Sequence, residues 1–171
     1  MGLGRELEAV ADAGPLIHLG EIGALPLLAV FRAIHVPDGV WAETVGAGRV
    51  SADDLESVGT VQRHAINAAL LRPFIKEYGL DRLHPGESEC LFLCRRIDVP
   101  LLLADDLAAR DAARRQGIRS VGSLGIVVRA FHLGRLSLAE AEGRIRRLHR
   151  VSSLFVTQAI ADLAIEQLRR V

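Results

Sequence analysis

The amino-acid sequence predicts an α/β fold with a parallel sheet, followed by two C-terminal helices. Short apolar runs alternate along the chain with segments of helical pattern, which is typical of strands joined by crossover helices. The run at 99–104 contains no polar residue, and this pattern favours a strand buried on both faces of a parallel sheet. Hydrophobic residues make up 50% of the 171 positions, which is ample for a packed core.

In the N-terminal part, the residues that end the apolar runs indicate the element boundaries. Asp12 ends the first run, Pro15 suits the first turn of a helix, and Asp38 is placed to cap another helix. We therefore expect strands over 7–11 and 33–36, and helices over 15–19, 25–31 and 38–45.

Residues 51–83 carry the weakest pattern of the chain. Ser51 can cap a short helix, and Gly59 separates that helix from the residues that follow. The composition predicts a helix over 61–71 and then a connector over 72–83, with weak strand character around 74–75.

The C-terminal part has clearer helix boundaries. A turn at Pro85 precedes a helix with acidic residues in its first turn and arginines in its last, as the helix dipole favours. Ser137 and Glu140 can form a capping box, and Thr157 can cap the last helix. The predicted strands cover 99–104 and 118–121, and the predicted helices cover 87–96, 107–116, 123–133, 138–150 and 158–170.

Length and composition restrict the class of protein. We expect one domain over residues 1–171, with a core of about 7–134 and a C-terminal helical extension over 135–171. Two cysteines cannot form a disulfide scaffold, no secretory leader is recognisable, and no apolar run approaches the ~20 residues of a membrane span. These features predict a cytoplasmic protein without a membrane anchor.

The net charge of zero hides an asymmetry along the chain. Residues 1–109 carry nine Lys and Arg against 16 Asp and Glu, whereas residues 110–171 carry 12 Arg against five Asp and Glu. One interpretation is a set of solvated helix faces, and the other is an acidic site beside a basic rim that holds a polyanion. Under the second interpretation, the candidate contacts to an RNA backbone are Arg110, Arg114, Arg144 and Arg147.

Acidic residues accompany the predicted strands. Functional sites of open α/β sheets gather at the carboxyl ends of the strands, and right-handed crossovers bring these ends to one edge. The candidate site residues are Asp12, Asp105 and Asp106 at strand ends, Glu43 on the helix after the second strand, and Glu87 and Glu89 before the strand at 99–104.

Several carboxylates at one edge repel each other unless a cation lies between them. Mg²⁺ and Mn²⁺ prefer oxygen ligands, and they can activate water for attack on a phosphodiester, so the pattern indicates metal-dependent phosphoryl transfer. Each acid also has a structural alternative, as a helix cap or a solvated surface residue. Because residues two apart on a helix project in different directions, we expect only one of Glu87 and Glu89 in the cluster.

Five segments resemble those of the PIN-domain ribonuclease family and occur in the family's order. More narrowly, the chain is similar to a PIN-like branch related to the VapC-type toxins of toxin–antitoxin systems. The segments read VADAGPLI at 10–17, VPDGVWAE at 36–43, LHPGESE at 83–89, LLLADD at 101–106 and GSLG at 122–125.

The resemblance implies a three-layer α/β/α sandwich and a cluster of acids that binds Mg²⁺ or Mn²⁺. It also implies RNA as substrate, a cognate antitoxin as partner and a homodimer. By motif position, the catalytic acids are Asp12, Glu43, Glu89 and Asp105; Glu87 and Asp106 are alternative metal ligands, and Ser123 supplies a hydroxyl near the site.

Two departures from the family pattern support a second hypothesis. Gly14 stands where many relatives carry Ser or Thr, and the third acid is a glutamate where many active toxins have aspartate. The alternative is a catalytically silent PIN-like module that binds a partner protein or RNA. A phosphatase or response-regulator-like domain is disfavoured because no lysine follows a strand end. The six histidines show no metal-ligand spacing, so the sequence assigns them no role.

Overall fold

The computed structural model describes residues 7–170, and within this range five strands form one sheet. The order across the sheet is β3-β2-β1-β4-β5, and all neighbouring strands are parallel. This order agrees with the predicted α/β class, in which the chain fills one side of the sheet and then the other. The strands are β1 (Glu8–Ala11), β2 (Ala33–Pro37), β3 (Val61–His64), β4 (Leu101–Leu103) and β5 (Arg119–Val121).

Helices cover both faces of the sheet, which confirms the predicted sandwich. Helix α5 packs on β1, β2 and β4, whereas α1 packs with α7, and α8 and α9 pack on α7 in turn. The helices are α1 (Ala13–Glu21), α2 (Asp38–Trp41), α3 (Ala52–Glu56), α4 (Ala68–Tyr78), α5 (Pro85–Arg96), α6 (Leu107–Arg115), α7 (Ser123–His132), α8 (Leu138–Arg150) and α9 (Gln158–Arg169).

The central strands form the core because they lack polar alternation. Val10 of β1 pairs with His35 of β2 on one side and Leu102 of β4 on the other, and both Val10 and Leu102 are fully buried. The chain changes direction across the sheet between β1 and β4, so a crevice forms outside the carboxyl ends of these two strands.

The prediction for residues 61–83 is right for the helix at 68–71 and the connector at 79–83, but wrong at 61–64 and 72–78. Val61–His64 form strand β3, because pairing with β2 decides the structure of this short segment. Residues that were expected to form a connector lie in α4, which begins after Asn67, whose side chain accepts a hydrogen bond from the Ala69 N–H. Pro73 lies inside α4 and weakens its helical signal, while the burial of Phe74 compensates.

Two other predicted helices differ in type. Leu25–Val30 form a 3₁₀ helix, and the helix after β2 is α-helical over Asp38–Trp41 and then widens into a π-helical turn over Ala42–Gly46. Asp38 is the first helical residue and not the cap, and its carboxylate forms an ion pair with Arg63.

The predicted capping residues of the last two helices are confirmed. Ser137 and Glu140 form the capping box of α8, and the Thr157 hydroxyl accepts a hydrogen bond from the Ile160 N–H at the start of α9. None of the helices within residues 7–170 combines the length and hydropathy that a membrane span requires.

Candidate functional site

A pocket of about 470 Å³ opens at the carboxyl edge of the sheet, outside β1 and β4. This volume lies within the range of small-ligand sites. Five of the six predicted acids line it, and they come from four different parts of the chain: Asp12, Glu43, Glu87, Asp105 and Asp106.

Asp12 lies directly after β1 and is only 5% exposed. Its backbone N–H donates to the Leu103 carbonyl of β4, which fixes Asp12 between the two central strands. It occupies the cap position of α1, but its side chain makes no capping hydrogen bond, so a purely capping role is excluded. Burial raises the pKa of Asp12 to about 7; the nearby Ala13 N–H offsets part of this rise, and the carboxylates of Glu87, Glu43 and Asp106 add to it.

Asp105 follows β4 and is held by three hydrogen bonds. Its Oδ1 accepts from the Ser123 N–H at 2.7 Å, and its Oδ2 accepts from the Ser123 hydroxyl at 2.6 Å and from Nδ1 of His18 at 2.7 Å. Gly122 permits this approach, because a methyl group there would lie 2.7 Å from Oδ1. The Asp105 carboxylate therefore sits at the N-terminus of α7, where the helix dipole favours an anion.

Asp106 is exposed and caps α6. Its Oδ1 accepts hydrogen bonds from the N–H groups of Ala108 at 2.8 Å and Ala109 at 3.0 Å. Both members of the Asp105–Asp106 pair therefore reach the pocket, although each also has a structural role.

Glu87 lines the pocket from the first turn of α5 and is buried. Its Oε2 accepts from the His84 N–H at 2.9 Å, as in a capping box. Burial raises the pKa of Glu87; the His84 N–H opposes this rise, and the carboxylates of Asp106 and Glu43 reinforce it.

Glu89, which the family resemblance puts in the third acidic position, lies apart from the other five acids. Glu89 lies outside the pocket lining, and its Oε2 accepts a hydrogen bond of 2.8 Å from the Gly39 N–H at the start of α2. A methyl group at Gly39 would lie 2.6 Å from that oxygen. Because Glu87 and Glu89 project in different directions from α5, only Glu87 faces the crevice.

Glu43 reaches the pocket from the π-helical turn after α2. Its carboxylate lies against the backbone at Gly86, where a methyl group would be 2.8 Å from Oε1. Such turns are rare and frequently mark functional sites, and here the turn brings Glu43 to the first turn of α5.

Sequence reasoning missed several non-acidic residues of the pocket lining, among them His18, His84, Leu107, Leu154 and Phe155. One signal for His18 was available, because Gly14 and His18 are four residues apart on one face of α1. No short-range signal locates Leu154 and Phe155, which come from the loop between α8 and α9 and reach the site only through the packing of these helices.

Comparison with protein-family models identifies the family to which the chain belongs. A family model described as a PIN domain matches residues 8–170. The chain belongs to the PIN-domain family. PIN domains are generally nucleases and typically use divalent metals. No curated protein and no solved structure shows significant similarity to the chain.

The carboxylates of this PIN domain are the chemical type of ligand that a hard divalent ion prefers. They supply only oxygen donors, and the raised pKa values of Asp12 and Glu87 result first from burial and then from the neighbouring carboxylates. Among residues 7–170, no three His, Cys, Asp or Glu side chains converge closely enough to hold a metal ion. An ion would therefore require side-chain rotations that bring the carboxylates together.

The four predicted RNA-contacting arginines lie outside the acidic pocket of the PIN domain. Arg110 and Arg114 line a larger groove of about 890 Å³ beside β5, which meets the acidic pocket at Leu107. Arg144 is half-buried and donates to the Ile22 carbonyl at 3.1 Å, whereas Arg147 is exposed on α8. Position thus favours the α6 arginines over the α8 arginines as neighbours of the site.

Proposed function

We propose that this PIN domain is a metal-dependent endoribonuclease. The observation that carries the proposal is the pocket at the switch point of the sheet, where the buried Asp12 carboxylate lies near Glu43, Glu87 and Asp106. Such a cluster of oxygen donors suits Mg²⁺ or Mn²⁺, and the position suits a ligand of an open α/β sheet.

In this proposal Asp12, Glu87 and Asp106 hold the ion, and Glu43 contributes a further oxygen donor. A divalent ion there supplies a Lewis acid that lowers the pKa of bound water and offsets the charge of a phosphodiester. Asp12 must give up its proton for this role, which its pKa of about 7 permits near neutral pH.

Asp105 is a positioning residue in this account and not a principal ligand. Its two oxygens already accept three hydrogen bonds, and these fix the start of α7 and the ring of His18 at the pocket. Ser123 is fully buried and acts through Asp105.

We further propose that the chain is the toxin of a toxin–antitoxin pair, with RNA in the cytoplasm as its target. The similarity of its five segments to the VapC-type branch supports this role, and a cognate antitoxin and a homodimer are expected with it. A short adjacent reading frame for a DNA-binding protein, together with growth arrest on expression that this protein relieves, is the test. Expression without any effect on growth would contradict the toxin role.

The nuclease proposal is tested by incubating the purified chain with structured RNA in Mn²⁺. We expect cleavage that EDTA abolishes and that Asp12→Asn reduces on the order of 10²- to 10⁴-fold. Asp162→Asn, an exposed acid on α9, is the matched control and should cleave normally. Absence of cleavage by the wild-type chain, or full activity of Asp12→Asn, would contradict the proposal.

The silent-module alternative also has an observation in its favour. Glu87, Asp105 and Asp106 each accept a hydrogen bond within the protein, and no ligating group of three exists among residues 7–170. RNA binding without Mn²⁺-dependent cleavage in the same assay would favour this alternative.

A further inference from the structure

The loop between α8 and α9 presents Phe155 to solvent at the acidic pocket. Phe155 is 94% exposed, the highest value among the large apolar side chains that the structure describes. Leu107, the first residue of α6, lines the same pocket and is 78% exposed. Isolated exposed apolar residues are common, but two of them at the rim of one charged pocket indicate a contact with a ligand.

Hydrogen bonds on both sides of Phe155 hold the loop. The Ser153 N–H donates to Oε2 of Glu21 at 2.6 Å, and the Ser153 hydroxyl donates to Oε1 of Glu21 at 2.9 Å. On the other side, Nδ1 of His149 donates to the Val156 carbonyl at 2.7 Å. Leu154 packs against the core, so the backbone is anchored while the neighbouring Phe155 ring projects outward.

The charges around the pocket restrict what can pack on this ring. Acidic residues line the pocket, and no arginine or lysine within residues 7–170 does so. The proposed function brings a phosphate of RNA to these acids through a metal ion. The neutral, flat part of the same nucleotide is its base, and base faces stack on aromatic side chains in single-stranded nucleic acids.

We propose that Phe155 stacks on an unpaired base of the nucleic acid whose phosphate enters the acidic pocket, with Leu107 at the side of that base. The inference rests on the proposed nuclease function, because it takes the phosphate at the acids as given. Phe155 is thus a positioning residue that selects unpaired nucleotides next to the reacting phosphate, since a base stacked within a duplex offers no free face.

The test measures stacking directly with RNA oligonucleotides that contain 2-aminopurine, whose fluorescence falls when it stacks on a ring. The titration uses the parent chain with its metal site intact, and Ca²⁺ replaces Mn²⁺, because Ca²⁺ binds oxygen ligands in flexible geometry and is a poor activator of water, which suppresses cleavage. We expect quenching at one position of a single strand, and Phe155→Ala should abolish it and weaken binding about 5- to 150-fold. Phe155→Trp should restore both, whereas Phe155→Leu should not.

Two matched controls separate stacking from a general loss of apolar surface. Leu163→Ala removes a side chain that is 55% exposed on α9 and outside the pocket lining, so its binding should equal that of the parent. A fully paired duplex should bind the Phe155→Ala variant as well as it binds the parent.

Three results would overturn the inference: no quenching in the parent, equal binding by Phe155→Ala, or full rescue by Phe155→Leu. A change in self-association of Phe155→Ala without a change in RNA binding would instead assign the residue to a protein interface. The nuclease proposal is judged separately, by cleavage in Mn²⁺. Cleavage without Phe155-dependent stacking would contradict only the stacking proposal. Stacking without cleavage would contradict only the proposed nuclease activity.

Discussion

Asp12 and Asp105 follow neighbouring strands and line the same pocket, yet their surroundings differ. Asp105 accepts three hydrogen bonds at the N-terminus of α7, where Gly122 leaves room for its carboxylate. Asp12 is buried beside other carboxylates and makes no capping hydrogen bond. Glu87 and Glu89 differ in position and not in donors: each accepts one backbone N–H and burial raises the pKa of each, but only Glu87 lines the pocket.

The position of a carboxylate is therefore determined by the strand end from which it projects. Whether its negative charge is already stabilised within the protein depends on the hydrogen-bond donors around it. A backbone N–H at a helix start satisfies a carboxylate and favours its ionised form. Where such donors are few and other acids are near, the charged form is disfavoured, and a cation would relieve the repulsion. The predictions below test this division between the acids.

The largest expected effect is on the stability of the metal-free protein. Folded Asp12 keeps its proton to about pH 7, whereas the unfolded chain releases it near 3.8, so stability falls as the pH rises between these values. Asp12→Asn removes this penalty and should raise the free energy of unfolding by roughly 3–4 kcal/mol at pH 8, with little difference near pH 4. Urea denaturation in EDTA at several pH values measures this difference in the free energy of unfolding. A variant less stable than the wild type at pH 8 would contradict the burial of an unpaired charge.

The next effect compares the two glutamates of α5. Glu87→Gln should reduce Mn²⁺-dependent cleavage on the order of 100-fold, and Glu89→Gln should change it less than about threefold. A glutamine can still accept the hydrogen bonds from His84 and Gly39, so both variants should fold. Cleavage rates at saturating RNA measure both effects. Equal losses in the two variants would contradict the assignment of Glu87, and not Glu89, to the metal site.

A smaller effect tests how tightly Asp105 is held. Gly122→Ala places a methyl group against Oδ1 of Asp105, which cannot swing away without losing its partners, so we expect a loss of about 1–3 kcal/mol in stability. Gly143→Ala on the exposed face of α8 meets no atom within 4 Å and should gain about 0.5–1 kcal/mol. Thermal unfolding measures both, and a neutral Gly122→Ala would show that Asp105 is mobile.

The smallest effect concerns the arginines. Replacing Arg114 and Arg119 by alanine in the groove beside β5 should weaken RNA binding a few-fold and flatten its salt dependence by roughly one unit of slope per lost contact. Arg147→Ala on α8 should leave the slope unchanged. A flatter slope in Arg147→Ala, with no change in the groove variant, would indicate that RNA binds along α8.

The sequence was informative where local chemistry decides the structure. The unbroken apolar run before Asp105 predicted a central parallel strand, and Ser137 and Thr157 marked helix starts that the structure contains. Strand β3 was not predictable in this way, because its exposed residues carry no apolar alternation and its pairing with β2 is non-local.

The candidate site was predictable to the level of the sheet edge. Strand ends indicated Asp12 and Asp105, but the choice between Glu87 and Glu89 depends on how α5 is rotated against α2, which no spacing within α5 encodes. Phe155 was not predictable either, because its place at the pocket follows from the docking of α8 and α9 on α7.

The binding of Mn²⁺ itself tests the central claim most directly, namely that the metal site is formed by the pocket-lining acids that keep an oxygen atom free of internal hydrogen bonds. Free Mn²⁺ is followed by electron paramagnetic resonance during titration of the wild-type chain, Asp12→Asn and Glu89→Gln at pH 8. We expect saturable binding to the wild type and to Glu89→Gln, and its loss in Asp12→Asn. Equal binding by Asp12→Asn, or no binding by the wild type at millimolar Mn²⁺, would contradict the account.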